Sequence, residues 1–136
     1  MANASVQVER TGQHSFVAAN DRGASVRIGR VGQEGSFTPV ELLLAAAAGC
    51  AAVTAEELVV RRVGEDARFE ATAEGVRQHG AHELDEVLVG LDVDLSALDP
   101  EQREHLVKAV RRAVEQLCTV TRTLKKSTPA PLAITS

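Results

Sequence analysis

The sequence predicts an α+β fold, with a largely antiparallel sheet packed on a long buried central helix and a second, amphipathic helix. Three observations predict it. Val87, Val89, Leu91, Val93 and Leu95 place an apolar residue at every second position, the period of a half-buried strand. Leu42 to Ala55 is apolar or small on every side, too long for a strand and suited to a helix covered all round. Leu106, Val110, Ala113, Val114 and Leu117 recur at helical spacing among charged residues. Strands and helices thus follow one another as strands, helix, strands, helix, strand. At 136 residues the whole chain, 1–136, is expected to be a single domain.

The first 30 residues read as three strands. Val6, Val8 and Arg10 alternate with polar neighbours before a turn at Thr11-Gly12-Gln13. Phe16 to Ala19 makes a second run, Asp21-Arg22-Gly23 turns the chain, and Val26 and Ile28 belong to a third. The stretch from Gly29 to Gly35 holds three glycines and is expected to be a mobile loop. Thr38-Pro39-Val40-Glu41 then announces the central helix. Thr is the cap, Pro takes the first helical position, and Glu three residues past the cap completes a capping box. The helix is expected to reach about Arg62 and stop near Gly64. Ala67 to Val76 alternates again, with Phe69, Ala71 and Ala73 on one side, and residues 79–82 read as a hairpin loop. Asp99-Pro100-Glu101-Gln102 starts the second helix. Cys118 follows Val114 by four positions and so belongs to the core-facing stripe. A short turn from Thr121 to Lys126 and a last strand around Pro131 to Ile134 complete the reading.

A helix apolar on all faces needs cover on all faces, and one sheet and one amphipathic helix of the same chain cannot supply it. The sequence therefore predicts an obligate homodimer. The core is built from Ala, Val and Leu, because the chain has no Trp, no Tyr and only Phe16, Phe37 and Phe69. Net charge is −4 with the signs well mixed, which argues against nucleic acid as a partner. The pairs Arg61-Arg62, Arg111-Arg112 and Lys125-Lys126 read as solvated helix faces and turns. Met1 to Arg10 has no apolar signal region, and the uncharged run from Leu42 to Ala55 falls short of the about 20 residues that cross a bilayer. No membrane association is expected, and the expected compartment is the cytoplasm, where two cysteines are kept as thiols.

Chemistry centres on Cys50 and Cys118, 68 positions apart. Cys50 lies in Gly49-Cys50-Ala51-Ala52, where small neighbours leave room for a substrate beside the sulfur. A packing role stands beside the nucleophilic one, since free cysteine is among the most buried residue types. Cys118 ends its helix, where the negative pole disfavours a thiolate. The reading therefore makes Cys50 the first attacker and Cys118 the resolving thiol. No metal and no cofactor are expected: His14, His79, His82 and His105 show no zinc spacing with the cysteines. The Gly29 to Gly35 loop also lacks a phosphate-binding pattern.

The run Thr38-Pro39-Val40-Glu41-Leu42-Leu43-Leu44-Ala45-Ala46-Ala47-Ala48-Gly49-Cys50 resembles the OsmC/Ohr family (osmotically inducible protein C and organic hydroperoxide resistance protein). So does the cysteine ending the next helix in Leu117-Cys118-Thr119-Val120-Thr121-Arg122-Thr123-Leu124. The start is closest to the less characterised Thr-Pro-x-Glu-Leu branch. The resemblance implies an intertwined homodimer with interface sites, in which Cys50 reacts with peroxide and Cys118 closes a disulfide with it. It implies a cysteine-based peroxidase of oxidative stress defence that reduces organic hydroperoxides and is recycled by a dithiol reductant. The family's peroxidases carry a Glu directly after the helix-start Pro and an Arg in the N-terminal strands. Here Val40 follows the Pro, and the Arg position falls near Gln13, with Arg10 and Arg22 as approximate substitutes. Two other functions remain open: a non-catalytic dimer binding a small apolar ligand in the cysteine pocket, and a redox sensor.

Glu41 precedes Cys50 by nine positions, about 13.5 Å along the helix and on roughly the opposite face. It is read as a cap and not as a base. Glu41→Gln is expected to leave the rate of thiol oxidation by cumene hydroperoxide within a few-fold. A loss of about a hundredfold with the fold intact, a drop of nearly 3 kcal/mol in transition-state stabilisation, would assign Glu41 the catalytic role.

Overall fold

The computed structural model describes residues 3–135 and divides into two compact units, Met1–Leu43 and Leu44–Ser136. In the first, β1 (Gln7–Gly12), β2 (Ser15–Ala19) and β3 (Ser25–Gly29) pair as an antiparallel meander in the order β1-β2-β3. The two turns are where the punctuation residues placed them. A bulge between Arg10 and Gly12 and a left-handed His14 (φ 56°) close the first. The second is tied by Asn20, whose Oδ1 accepts from the N–H groups of Arg22 (2.9 Å) and Ala24 (3.0 Å), with Gly23 at φ 92°.

The segment after β3 is more ordered than its glycine content suggests. The Gly29 and Phe37 N–H groups donate to Phe37 O and Arg27 O, and Phe37 bridges Ile28 in parallel. Gln33 folds back so that its Oε1 accepts from the Arg30 N–H at 3.2 Å. A Cβ at Gly29 would meet that Gln33 side chain, so the glycine is there for close approach. The segment is a loop, as expected, with Gly32 and Gly35 at positive φ (83° and 72°).

Helix α1 (Pro39–Val63) begins as the capping box requires. The Thr38 N–H donates to Glu41 Oε1 at 2.8 Å, and the Glu41 N–H donates to Thr38 Oγ1 at 3.1 Å. Gly64, at φ 88°, ends it through its N–H to Val60 O. By length and hydropathy alone α1 matches a membrane span, but Glu56, Glu57, Arg61 and Arg62 confine its uncharged run to the first two thirds.

In the second unit α1 buries Ala47, Ala48, Ala51, Ala55 and Val59, while Val53 on another face is 78% exposed. One chain thus covers one side of this helix. The hairpin of β4 (Phe69–Val76) and β5 (Glu86–Val93) is antiparallel and runs in unbroken register from Phe69↔Val93 to Val76↔Glu86. Phe69, Ala71, Ala73 and Gly75 point to its covered side. A Cβ on Gly75 would lie 3.2 Å from Leu84 and 3.4 Å from Leu44 of α1, so the missing side chain lets the helix seat against the strand. The antiparallel pairing is therefore divided between a three-stranded sheet and a two-stranded one.

Helix α2 (Pro100–Leu117) has a complete capping box: the Gln102 N–H donates to Asp99 Oδ1 at 2.8 Å, and the Asp99 N–H donates to Gln102 Oε1 at 3.0 Å. Its inward row is Leu106, Val110, Val114 and then Cys118. Leu117, expected on that row, is 70% exposed, because the four-residue spacing carries the buried row to Cys118. At Cys118 the backbone leaves the helix (ψ 104°) and at once begins α3 (Thr119–Leu124), where the sequence reading placed only a turn. The strand expected around Pro131 to Ile134 does not form. The segment has no ladder partner among the described residues and leaves Leu132 and Ile134 exposed.

Asp99→Ala removes the acceptor that satisfies the Gln102 N–H. It is expected to destabilise the protein by about 1 kcal/mol in urea denaturation, with the m-value unchanged. An unchanged midpoint would show that the α2 cap carries no stability.

Candidate active site

Both cysteines lie in the second unit, and the fold brings them together. Cys50 sits near the middle of α1 and is partly exposed; Cys118, at the α2-α3 junction, is 0% exposed. The Cys50 thiol lies beside the Cys118 sulfur. Cys118 therefore has a thiol partner on one side and packed protein on all others, while Cys50 keeps an open side.

Two threonines complete the surroundings of the buried sulfur. Thr121 is three residues past Cys118 in α3, and its hydroxyl hydrogen-bonds to the sulfur. Its backbone N–H also points there, without reaching the geometry of a regular side-chain cap. Thr54 is four residues past Cys50 on α1, one turn along the same face, and its hydroxyl is the other partner. Burial pushes the Cys118 thiol up. Hydrogen bonds from Cys50, from Thr121 and from Thr54 outweigh it and hold the group below the usual thiol range.

This changes one step of the sequence argument. Cys118 does end α2, and its N–H donates to Val114 O. The same residue also caps α3, and its carbonyl accepts from the Arg122 N–H at 2.9 Å. The helix pole is therefore not the whole of the influence on its sulfur: burial and neighbouring donors act on it as well. Thr54 and Thr121 escaped the reading because each looks like a neutral helix residue. Their spacing from the cysteines, four and three positions, was the available signal.

Other features lie apart from the sulfurs. An open groove of about 320 Å3 runs along the later turns of α1, lined by Ala52, Val53, Glu56, Val59, Val60 and Phe69 among others; neither cysteine lines it. Among the described residues no group of three or more His, Cys, Asp or Glu is placed to hold a metal ion. Glu41 is engaged in the cap of α1.

Comparison with known proteins agrees with this architecture. The model of the OsmC-like protein family matches residues 32–132, which include both cysteines. Uncharacterized proteins of Mycobacterium tuberculosis and Mycobacterium bovis are each 35% identical over 127 residues, covering 93% of this chain and 93% of theirs. The crystal structure of an OsmC-like protein from Mycoplasma pneumoniae superposes with a TM-score of 0.67 at 16% identity, covering 91% of this chain and 88% of that one. A Psychrobacter arcticus protein, provisionally described as an osmotic stress induced and detoxification response protein, gives 0.63 at 18% identity, covering 90% and 89%. With a family match over most of the chain and neighbours that share its antiparallel sheets and helices, the chain belongs to the OsmC-like protein family.

Proposed function

We propose that the protein is a thiol peroxidase that reduces organic hydroperoxides through a Cys50–Cys118 disulfide in the cytoplasm. The observation that carries this reading is the pairing of an open thiol with a buried one beside it. A cysteine that serves packing alone needs no second sulfur against it. Family membership and the stress-response description of the Psychrobacter arcticus neighbour point the same way.

The difference in access between the two cysteines supports this order of steps. Cys50 gives up its proton to solvent on its open side, leaving a thiolate there. That thiolate attacks the outer peroxide oxygen, the O–O bond breaks, and the leaving alkoxide takes a proton to become the alcohol. Cys50 is now a sulfenic acid. The Cys118 thiol attacks the Cys50 sulfur, and its proton leaves with the hydroxide as water. Two thiols and one hydroperoxide have become a disulfide, an alcohol and water, and an external dithiol returns the pair to its reduced form. The apolar side chains around Cys50 favour a peroxide with an apolar tail over hydrogen peroxide.

Val40 supports a second reading. It stands where the peroxidases of the resembled family carry Glu, so the chain could retain the pair as a wall of an apolar binding site without turning over. The two readings separate in one titration. On the first, wild type loses both thiols to one equivalent of cumene hydroperoxide and regains them with dithiothreitol. Cys118→Ser reacts once and is trapped by a sulfenic-acid probe, and Cys50→Ser is inert on that timescale. Retention of both thiols after several equivalents would leave the ligand-binding reading.

The same proposal includes a homodimer. α1 buries one face in a single chain and leaves Leu43 and Val53 open. At about 25 cal/mol per Å2, several hundred Å2 of apolar surface is worth several kcal/mol, a large part of a typical stability of about 5–15 kcal/mol. Sedimentation at low micromolar concentration is expected to find a dimer; a folded monomer there would refute it.

A further inference from the structure

The segment that follows α3 can make a strand ladder on one side only. In extended backbone the N–H and C=O groups of successive residues point to opposite sides. Pro129 and Pro131 have no N–H, so the side they share lacks two donors, and a neighbouring strand there would find gaps. Ala130, Leu132 and Ile134 point the other way with both groups intact. The same three residues share one face of the strand, so a ladder on that side carries Leu132 and Ile134 together. Residues 129–135 have no ladder partner among the described residues, and both large side chains are exposed.

The second unit offers an edge that matches. Among the described residues β5 pairs with β4 alone, so its other edge is open over 8 residues. The Asp94 N–H donates to Arg68 O at 2.9 Å, which sets the alternation. Even-numbered positions bond to β4, and Val87, Val89, Leu91 and Val93 turn their N–H and C=O groups outward. No Pro or Lys interrupts Glu86 to Val93 to block pairing there. Exposure separates this edge from that of β4. Phe69, Ala71 and Ala73 are half-buried on the covered side of the hairpin, but Val89, opposite Ala73, is 38% exposed. A strand added beside β5 would lay Leu132 and Ile134 next to that wet position.

We propose that residues 129–135 of one chain add as an edge strand to β5 of a second copy, and that this exchange helps hold the dimer together. The uncovered face of α1, with Leu43 and Val53 open, already calls for a second copy, and that copy carries the same open edge. Two-fold symmetry makes the exchange reciprocal. The proposal rests on the homodimer reading and adds a place where the chains join. The prolines also give the junction a stop. Once the strand is seated, its outer side lacks two donors, so the sheet ends there and the dimer does not grow into a fibre.

The experiment uses the full chain and two substitutions that differ in which side of the strand they alter. Ala130→Pro removes an N–H on the pairing side; Ala133→Pro removes one on the side that Pro129 and Pro131 already leave bare. Circular dichroism establishes that both variants are folded like wild type. In wild type, amide exchange followed by NMR is expected to be at least about tenfold slower at Ala130, Leu132 and Ile134 than at Ala133 and Thr135. Isotope-filtered NOEs in a dimer of labelled and unlabelled chains are expected between the Leu132 and Ile134 methyls of one chain and Val89 of the other. Ala130→Pro is expected to abolish the alternating protection and to speed subunit exchange, read by native mass spectrometry, about tenfold, while Ala133→Pro leaves both within about twofold. Equal effects of the two prolines, or uniform exchange along the segment, would overturn the strand. NOEs confined to one chain would overturn its exchange between copies. A dimer whose segment is unprotected refutes the proposal and leaves the homodimer standing; a monomer with the segment unprotected refutes both.

Discussion

The second unit depends on the small-residue face of α1. Ala47, Ala48, Ala51 and Ala55 are its buried positions, and Val59 closes the row. With no Trp or Tyr in the chain, the core is built from small and aliphatic side chains. On the strand side a Cβ at Gly75 would lie 3.2 Å from Leu84 and 3.4 Å from Leu44. Cys50 sits on the same helix, one turn from Thr54.

The sulfurs differ in access more than in chemistry. Cys118 is wholly covered, and its charge is balanced by hydrogen bonds; Cys50 is partly open and shares a proton partner with it. An ordinary buried cysteine has its ionised form suppressed by the lack of solvent. Here three neighbouring residues replace the solvent. On the proposed reading, the buried thiol is kept out of reach of bulky reagents, and only oxidation of its partner would bring an electrophilic sulfur within range.

Much of this was legible in the chain, and the divide follows the range of the interactions. The capping box of α1 and the cap of α2 were read from four consecutive residues each, because a cap is satisfied by groups within one turn. The alternation of β4 and β5 and the stop at Gly64 were read in the same way. The segment from Gly29 to Gly35 was not, since its order comes from Gln33 folding back and from Phe37 bonding to β3. Leu117 and Cys118 exchanged places because a four-residue spacing and a mixed three- and four-residue spacing diverge by the end of a long helix. The strand expected near Pro131 rested on apolar composition alone, with no partner identified. At the site, both cysteines were found by type and position, but the electrostatic balance at Cys118 was not. It is set by Thr54, 64 positions away, and by a helix that begins where the previous one ends.

That junction has a mechanical side. At Cys118 a single residue closes one helix and opens the next, with its N–H and its carbonyl each already committed. The backbone there has no slack to give, and the sulfur moves only as far as rotation about the Cα–Cβ bond carries it. On the proposed disulfide reading, bond making between the two cysteines would be a swivel about a fixed post. No loop would have to open and no turn to unwind, so the cost of a redox cycle in folded structure would be small, and the return stroke would begin from the same backbone as the forward one.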